Sequence, residues 1–152
     1  MKQVTINTDF GDMNLTFLPD IAPDHVSNFI DLSESGFYDG VTFHRVLPGF
    51  MAQGGDPTGT GSGGPGYTLP AEFSDTPYVR GTVGMARTAD PDSGGSQFFI
   101  TFGEQPNLNG QYTVFGEITE GMDVVGSLTP RDPNDPSAPP GDAIISIKIE
   151  VE

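Results

Sequence analysis

Cysteine is absent from this chain of 152 residues, which excludes disulfides, thiolate nucleophiles and thiolate metal sites. Positive charge is scarce. Lys2 and Lys148 are the only lysines, and 6 basic residues stand against 21 acidic ones, for a formal net charge of -15. That balance argues against nucleic acid as a partner, because phosphates need basic contacts. No stretch comes near the ~20 apolar residues needed to cross a bilayer, so no membrane partner is expected. The opening residues Met1-Lys2-Gln3-Val4-Thr5 enter an alternating pattern with no apolar signal-peptide core, and the expected location is cytoplasmic.

What is abundant is glycine and proline. The hydrophobic fraction is 35%, and 21 Gly and 14 Pro point to many turns and short strands rather than long helices. The length suits one domain, residues 1–152, able to bury a core of its own. The acids are scattered along the chain and not gathered in a tail. Self-repulsion that keeps the protein soluble is the plain consequence. Adaptation to high salt, where screening removes the repulsion, is the sharper expectation, and it predicts a fold that loosens in dilute buffer.

Periodicity places the elements. Val4-Thr5-Ile6-Asn7-Thr8 and Met13-Asn14-Leu15-Thr16-Phe17 alternate apolar and polar around a turn at Asp9–Asp12, which predicts a hairpin. Pro23 suits a first helical turn, Val26, Phe29 and Ile30 share one helical face, and Gly36 is a stop. Further strands are expected around 42–47, 51–53, 81–86, 97–101 and 113–118, a short helix over 121–128 and a final strand over 143–151. Residues 130–141 read as a proline-rich surface loop inside the domain. Many short strands with two helices suggest an antiparallel sheet closed on itself.

The chemistry concentrates in two neighbouring stretches. Phe43-His44-Arg45-Val46 puts one Arg in an apolar strand, and Phe50-Met51-Ala52-Gln53-Gly54-Gly55-Asp56 adds large apolar side chains, an amide and a Gly pair. A shallow apolar groove holding one cation and one amide suits a proline peptide. The motif resembles the cyclophilin family of peptidyl-prolyl isomerases. Gly84-Met85-Ala86, Gly95-Ser96-Gln97-Phe98-Phe99-Ile100, Leu108-Asn109-Gly110 and Val114-Phe115-Gly116 extend the resemblance from about Val4 to the end of the chain. It implies a mainly β fold, a closed eight-stranded antiparallel barrel capped by two α-helices, with a packed interior and the peptide groove on the outer face. Side chains filling a barrel of that strand number are physically expected.

The resemblance also implies roles. Arg45 is the expected catalytic residue, and Phe50, Met51, Phe99 and Leu108 match the proline pocket. Gln53 matches the position that bonds substrate backbone and helps orient the Arg. Ala86 and Gln97 match groove positions near the residue before proline. Arg87 stands where many relatives carry Asn; the exchange is compatible with activity and with an added preference for acidic peptides. Tyr112 stands where well-known relatives have His, keeping an aromatic wall with a polar tip. Asn107 occupies a place usually held by Trp in tight cyclosporin binders, so weak cyclosporin binding is expected. The implied partners are proline-containing peptides and unfolded proteins, the implied state is a monomer, and no cofactor or metal is called for. A non-catalytic proline-binding or chaperone module of the same fold is the alternative.

Other signals are weaker. The glycine-rich residues 54–66 lack the Gly-Lys-Ser/Thr ending of a nucleotide loop, so turn geometry explains them better. Ser96 is not in a Gly-x-Ser-x-Gly elbow. Asp90–Gly94 and Asp132–Asp135 lack the full calcium-loop pattern. Alternation turns His44 away from Arg45, which predicts a packed, hydrogen-bonded imidazole. His25 is expected on an exposed helix face.

Overall fold

The computed structural model describes residues 2–151; Met1 and Glu152, the ends of the expected domain, lie outside the described residues. Nine strands and two α-helices follow the chain in the order β1 (Lys2–Thr8), β2 (Gly11–Phe17), α1 (Pro23–Glu34), β3 (Thr42–Phe43), β4 (Arg45–Leu47), β5 (Met51–Gly54), β6 (Thr82–Met85), β7 (Phe98–Thr101), β8 (Val114–Glu120), α2 (Met122–Ser127) and β9 (Asp142–Val151). Among the described residues no helix is long and apolar enough to cross a membrane.

The hairpin is as read. Thr8 pairs with Gly11 across Asp9-Phe10, and Val4, Ile6, Met13, Leu15 and Phe17 are buried. Helix α1 starts at Pro23, but its preceding residue, Ala22, offers no side-chain cap. A distant carboxylate replaces it: Glu72 accepts the backbone N–H groups of Asp24 and His25. A negative group at those unpaired donors also suits the helix dipole. Phe29 on the inner face of α1 then packs against Phe17, Tyr38, Phe98 and Phe115, with centroids 5.0–5.8 Å apart.

All ladders are antiparallel, in the order β3-β9-β1-β2-β8-β6-β7-β5-β4. The closed eight-stranded barrel expected from the sequence is not what forms. The barrel has nine strands and is nearly closed, with an unsealed seam. The cause lies in the stretch 42–47, expected as one strand. It breaks at His44: β3 pairs with β9 at one end of the sheet, and β4 pairs with β5 at the other. The seam between the end strands is therefore crossed by the covalent chain rather than by a ladder. Backbone bonds in both directions between Val46 and Arg131, each 2.9 Å, cover the free edge of β4 with the proline-rich loop.

Pleating sorts side chains between the faces. Val46, Ala52, Phe98 and Ile100 point into the main core. Their alternating neighbours Met51 and Phe99 join a second apolar cluster with Tyr78, Leu108 and Val114 on the other side. The outer side of β4, β5 and β7 is where the candidate residues gather.

Candidate active site

Register builds the site. Arg45 lies opposite Gln53, Gln53 opposite Phe99, and Phe99 opposite Gly84, so one row crosses four strands. Leu47 and Met51 form the next row, closed by a turn in which Gly49 has φ 78°. Gly84 belongs in that row for a steric reason. A Cβ there would lie 2.8 Å from Cζ of Phe99 and would also strike the Tyr78 hydroxyl. Tyr78 stacks on Phe99 at 5.5 Å, and its buried hydroxyl donates to the Tyr112 carbonyl at 3.0 Å. Burial raises the Tyr78 pKa well above that of a free tyrosine, so it remains a donor.

The structure brings nine of the ten sequence-predicted site residues around one cavity of about 140 Å³. Phe50, Met51, Phe99 and Leu108 supply its apolar wall, Arg45 and Gln53 one polar flank, and Ala86, Arg87 and Tyr112 the other. A cavity of about 150 Å³ is enough to hold benzene, so this one has the volume of a small ring. Gln97 is the tenth residue. It lines a larger adjoining cavity of about 640 Å³, which shares Gln53, Ala86 and Arg87 with the first.

The polar side of the site is held by a relay. Gln97 donates from Nε2 to the carbonyls of Gly61 and Gly63 at 3.0 and 2.9 Å. That orientation turns its Oε1 toward Gln53, whose Nε2 donates to it at 2.9 Å. The sole contact of salt-bridge length among the described residues is between His25 and Glu72, so Arg45 is not neutralised by a carboxylate. On the opposite wall, Cζ of Arg87 lies 4.7 Å from the centroid of Tyr112, which meets Phe99 edge-on at 5.6 Å.

Asp56 organises the glycine-rich loop, a role the sequence reading did not assign. The side chain is buried, and its Oδ1 accepts from the Thr58 N–H and hydroxyl, both at 2.8 Å. Its Oδ2 accepts the N–H groups of Thr60, Gly61 and Gly63 at 3.2, 2.6 and 3.0 Å. Burial alone would raise the Asp56 pKa, but the bonds from Gly63, Thr58 and Gly61 win and hold it well below the usual carboxylate range. Four of the loop's N–H groups are thus occupied by the chain's own anion, a physical reason against phosphate binding there. The legible signal was an Asp followed by Thr and Gly residues, the composition of side-chain-closed turns.

Both histidines depart from expectation. His25 is 1% exposed rather than exposed, because the loop carrying Glu72 covers the start of α1, and Nδ1 lies 2.6 Å from Glu72 Oε1. His44 is buried as expected, but its Nδ1 has no hydrogen-bond partner. Burial lowers its pKa, the Asp56 charge opposes this, and Arg131 and Arg45 reinforce it. Ser96 is buried and donates to the Gly55 carbonyl at 2.7 Å, a structural use of its hydroxyl.

Comparison with known proteins agrees with this geometry. Residues 3–149 match the family model for cyclophilin type peptidyl-prolyl cis-trans isomerase/CLD. A peptidyl-prolyl cis-trans isomerase of Synechococcus elongatus is 50% identical over 151 residues, covering 98% of this chain and 97% of that protein. Isomerase B of Bacillus subtilis is 48% identical over 126 residues, covering 82% and 87%. Among solved structures, a Cryptosporidium parvum cyclophilin superposes with a TM-score of 0.89 at 34% identity, covering 99% of this chain and 98% of that one. A structure of the Cryptosporidium parvum cyclophilin in the presence of the dipeptide Ala-Pro gives 0.87 at 35% identity, covering 99% of each.

Proposed function

The chain belongs to the cyclophilin-type peptidyl-prolyl cis–trans isomerases, and from that premise we propose that Arg45 is the catalytic residue of this one. The protein is an enzyme that accelerates cis–trans rotation of X–Pro bonds in peptides and folding proteins.

Rotation about an X–Pro bond is slow because amide resonance gives the C–N bond double-bond character. No covalent bond forms or breaks during the reaction. The site has to favour the twisted state, in which resonance is lost and the prolyl nitrogen becomes pyramidal and can accept a hydrogen bond. A guanidinium beside that nitrogen stabilises the twisted state more than either planar one, and differential binding of that kind is catalysis. Arg remains charged at any working pH.

One observation carries the assignment: Arg45, free of any carboxylate partner, flanks a cavity walled by Phe50, Met51, Phe99 and Leu108. In this reading those four hold the proline ring. The relay from the glycine-rich loop through Gln97 fixes the Gln53 amide, leaving its carbonyl oxygen for Arg45 or the substrate. Ala86, Arg87, Gln97 and Tyr112 line the path of the peptide. The proposed setting is a cytoplasmic monomer acting on unfolded or flexible proline-containing chains. Its cyclosporin binding is proposed to be weak, since an exposed Asn107 stands beside the pocket residue Leu108.

The test is cis–trans exchange of a short Ala-Pro peptide, followed by NMR for wild type and Arg45→Ala. Turnover should fall about a hundredfold or more, the usual range for removing a group that stabilises a transition state. Peptide affinity and melting temperature should change little. Equal loss of affinity and turnover would instead make Arg45 a binding residue.

A further inference from the structure

The two adjoining cavities share a charge pattern. Acidic residues number 21 in this chain, yet neither lining contains an Asp or a Glu. Two of the six basic residues, Arg45 and Arg87, are there instead. The peptide path thus carries two formal positive charges and no acidic lining residue on a protein of formal net charge -15.

Arg87 is the member of that pair not needed for the rotation itself. Its position is fixed from three sides. Nε donates to the Gln111 carbonyl at 2.9 Å, Nη1 donates to the Thr88 carbonyl at 2.9 Å, and the guanidinium lies over the Tyr112 ring. These contacts orient the group but leave its charge intact, because carbonyls and an aromatic face carry no formal negative charge. A guanidinium has five N–H donors, so donors remain beyond the two bonds named. The nearest acids in sequence do not pair with it: Asp92 accepts the Ala71 N–H, Asp90 accepts the Asp92 N–H, and neither lies within salt-bridge distance of the guanidinium. Arg87 borders both cavities, at the junction between the proline pocket and the stretch along Ala86 and Gln97.

We propose that Arg87 is a specificity-determining residue that selects peptides bearing a carboxylate side chain within three residues before the proline. This deepens the isomerase reading and rests on it. The preorganised guanidinium loses little freedom on meeting a carboxylate, and its planar fork donates to two oxygens at once. The pair forms at the edge of a groove in contact with water, so its effect is modest and salt-dependent.

The experiment compares proline peptides that differ only by Glu or Gln one, two or three residues before the proline. Turnover per unit concentration is measured at low and at molar salt for wild type, Arg87→Gln and Arg87→Lys. For at least one position the Glu peptide should exceed its Gln counterpart by about two- to fivefold in dilute buffer, the range of an exposed ion pair. The ratio should shrink toward one in molar salt. Arg87→Gln should erase the ratio, whatever it does to the neutral peptide, and Arg87→Lys should retain part of it. A ratio of one at every position in the wild type would overturn the proposal, as would the same ratio in wild type and Arg87→Gln. If no peptide were accelerated in any salt, the isomerase reading would fail first, and the two failures are therefore distinguishable.

Discussion

Arg131 donates from Nη1 to the carbonyl oxygen of His44 at 2.6 Å, spanning the point where the sheet's two end strands meet. His44 is the single residue between β3 and β4, and its backbone cannot serve both strands' ladders. The same guanidinium donates from Nε to the Pro139 carbonyl at 2.7 Å, while the Arg131 backbone pairs with Val46. One side chain thus ties the proline-rich loop across the seam, directly behind the strand that carries Arg45.

Arg131→Ala should therefore act on both stability and turnover. Two charge-assisted bonds are lost and two carbonyls are left to water, an expected cost of about 1–3 kcal/mol. The free edge of β4 should loosen, and turnover should fall more than peptide affinity, because the position of Arg45 matters most in the twisted state. Arg131→Lys should recover part of the stability but not both bonds, since a point charge lacks the fork. Denaturant unfolding and peptide exchange on the same samples check this. Unchanged turnover in a destabilised but folded variant would confine Arg131 to a structural role.

Such long-range ties mark the limit of what sequence could reveal. Alternation read the β1–β2 hairpin correctly, because burial on one face writes a period of two into Val4, Ile6, Met13, Leu15 and Phe17. The pocket was legible through Phe50, Met51, Phe99 and Leu108, which the resemblance joined from distant segments. The break at His44 was not, because Phe43, Val46 and Leu47 keep an apolar strand-like character on both sides of it. The burial of His25 depends on Glu72, 47 residues away, and the support of Phe99 by Tyr78 depends on a missing Cβ at Gly84. Neither leaves a local pattern.

Asp56 should make stability depend on acid. Its folded-state pKa lies below that of an unfolded chain. Its contribution is therefore complete above the ordinary carboxylate value of about 3.9, and it is lost as pH falls toward the folded value. Asp56→Asn replaces one accepting oxygen with a donor, setting it against N–H groups that the carboxylate now satisfies. The variant should lose about 2 kcal/mol or more at neutral pH and show a flatter decline below pH ~4. Urea unfolding from neutral to acid pH measures both. Parallel pH profiles for the two proteins would show that Asp56 does not carry the effect.

Asn107 lies exposed on the 3-10 helix Pro106–Leu108, next to a residue of the pocket wall. A short amide gives an apolar macrocycle little area and no indole N–H. Cyclosporin should bind weakly while peptide turnover persists, and Asn107→Trp should tighten binding without a comparable change in turnover. Calorimetric titration of both proteins decides the matter. Tight binding by the wild type would contradict the expectation.

The charge distribution leads to the last expectation. With a formal net charge of -15 and no Lys or Arg within salt-bridge distance of a carboxylate among the described residues, the acids have little within the fold to offset their mutual repulsion. That repulsion acts over a Debye length of roughly 10 Å at 0.1 M salt and about 3 Å at 1 M. We propose that the fold is adapted to concentrated salt, where self-repulsion is screened and burial dominates. The melting temperature should rise steadily from dilute buffer to molar potassium or sodium chloride. Turnover of a neutral peptide should rise with it wherever dilute buffer leaves part of the protein unfolded. Most of the gain should appear by about 1 M, because screening is then nearly complete at the spacing of surface charges. A melting temperature that stays the same across that range would mean that the acids serve solubility alone.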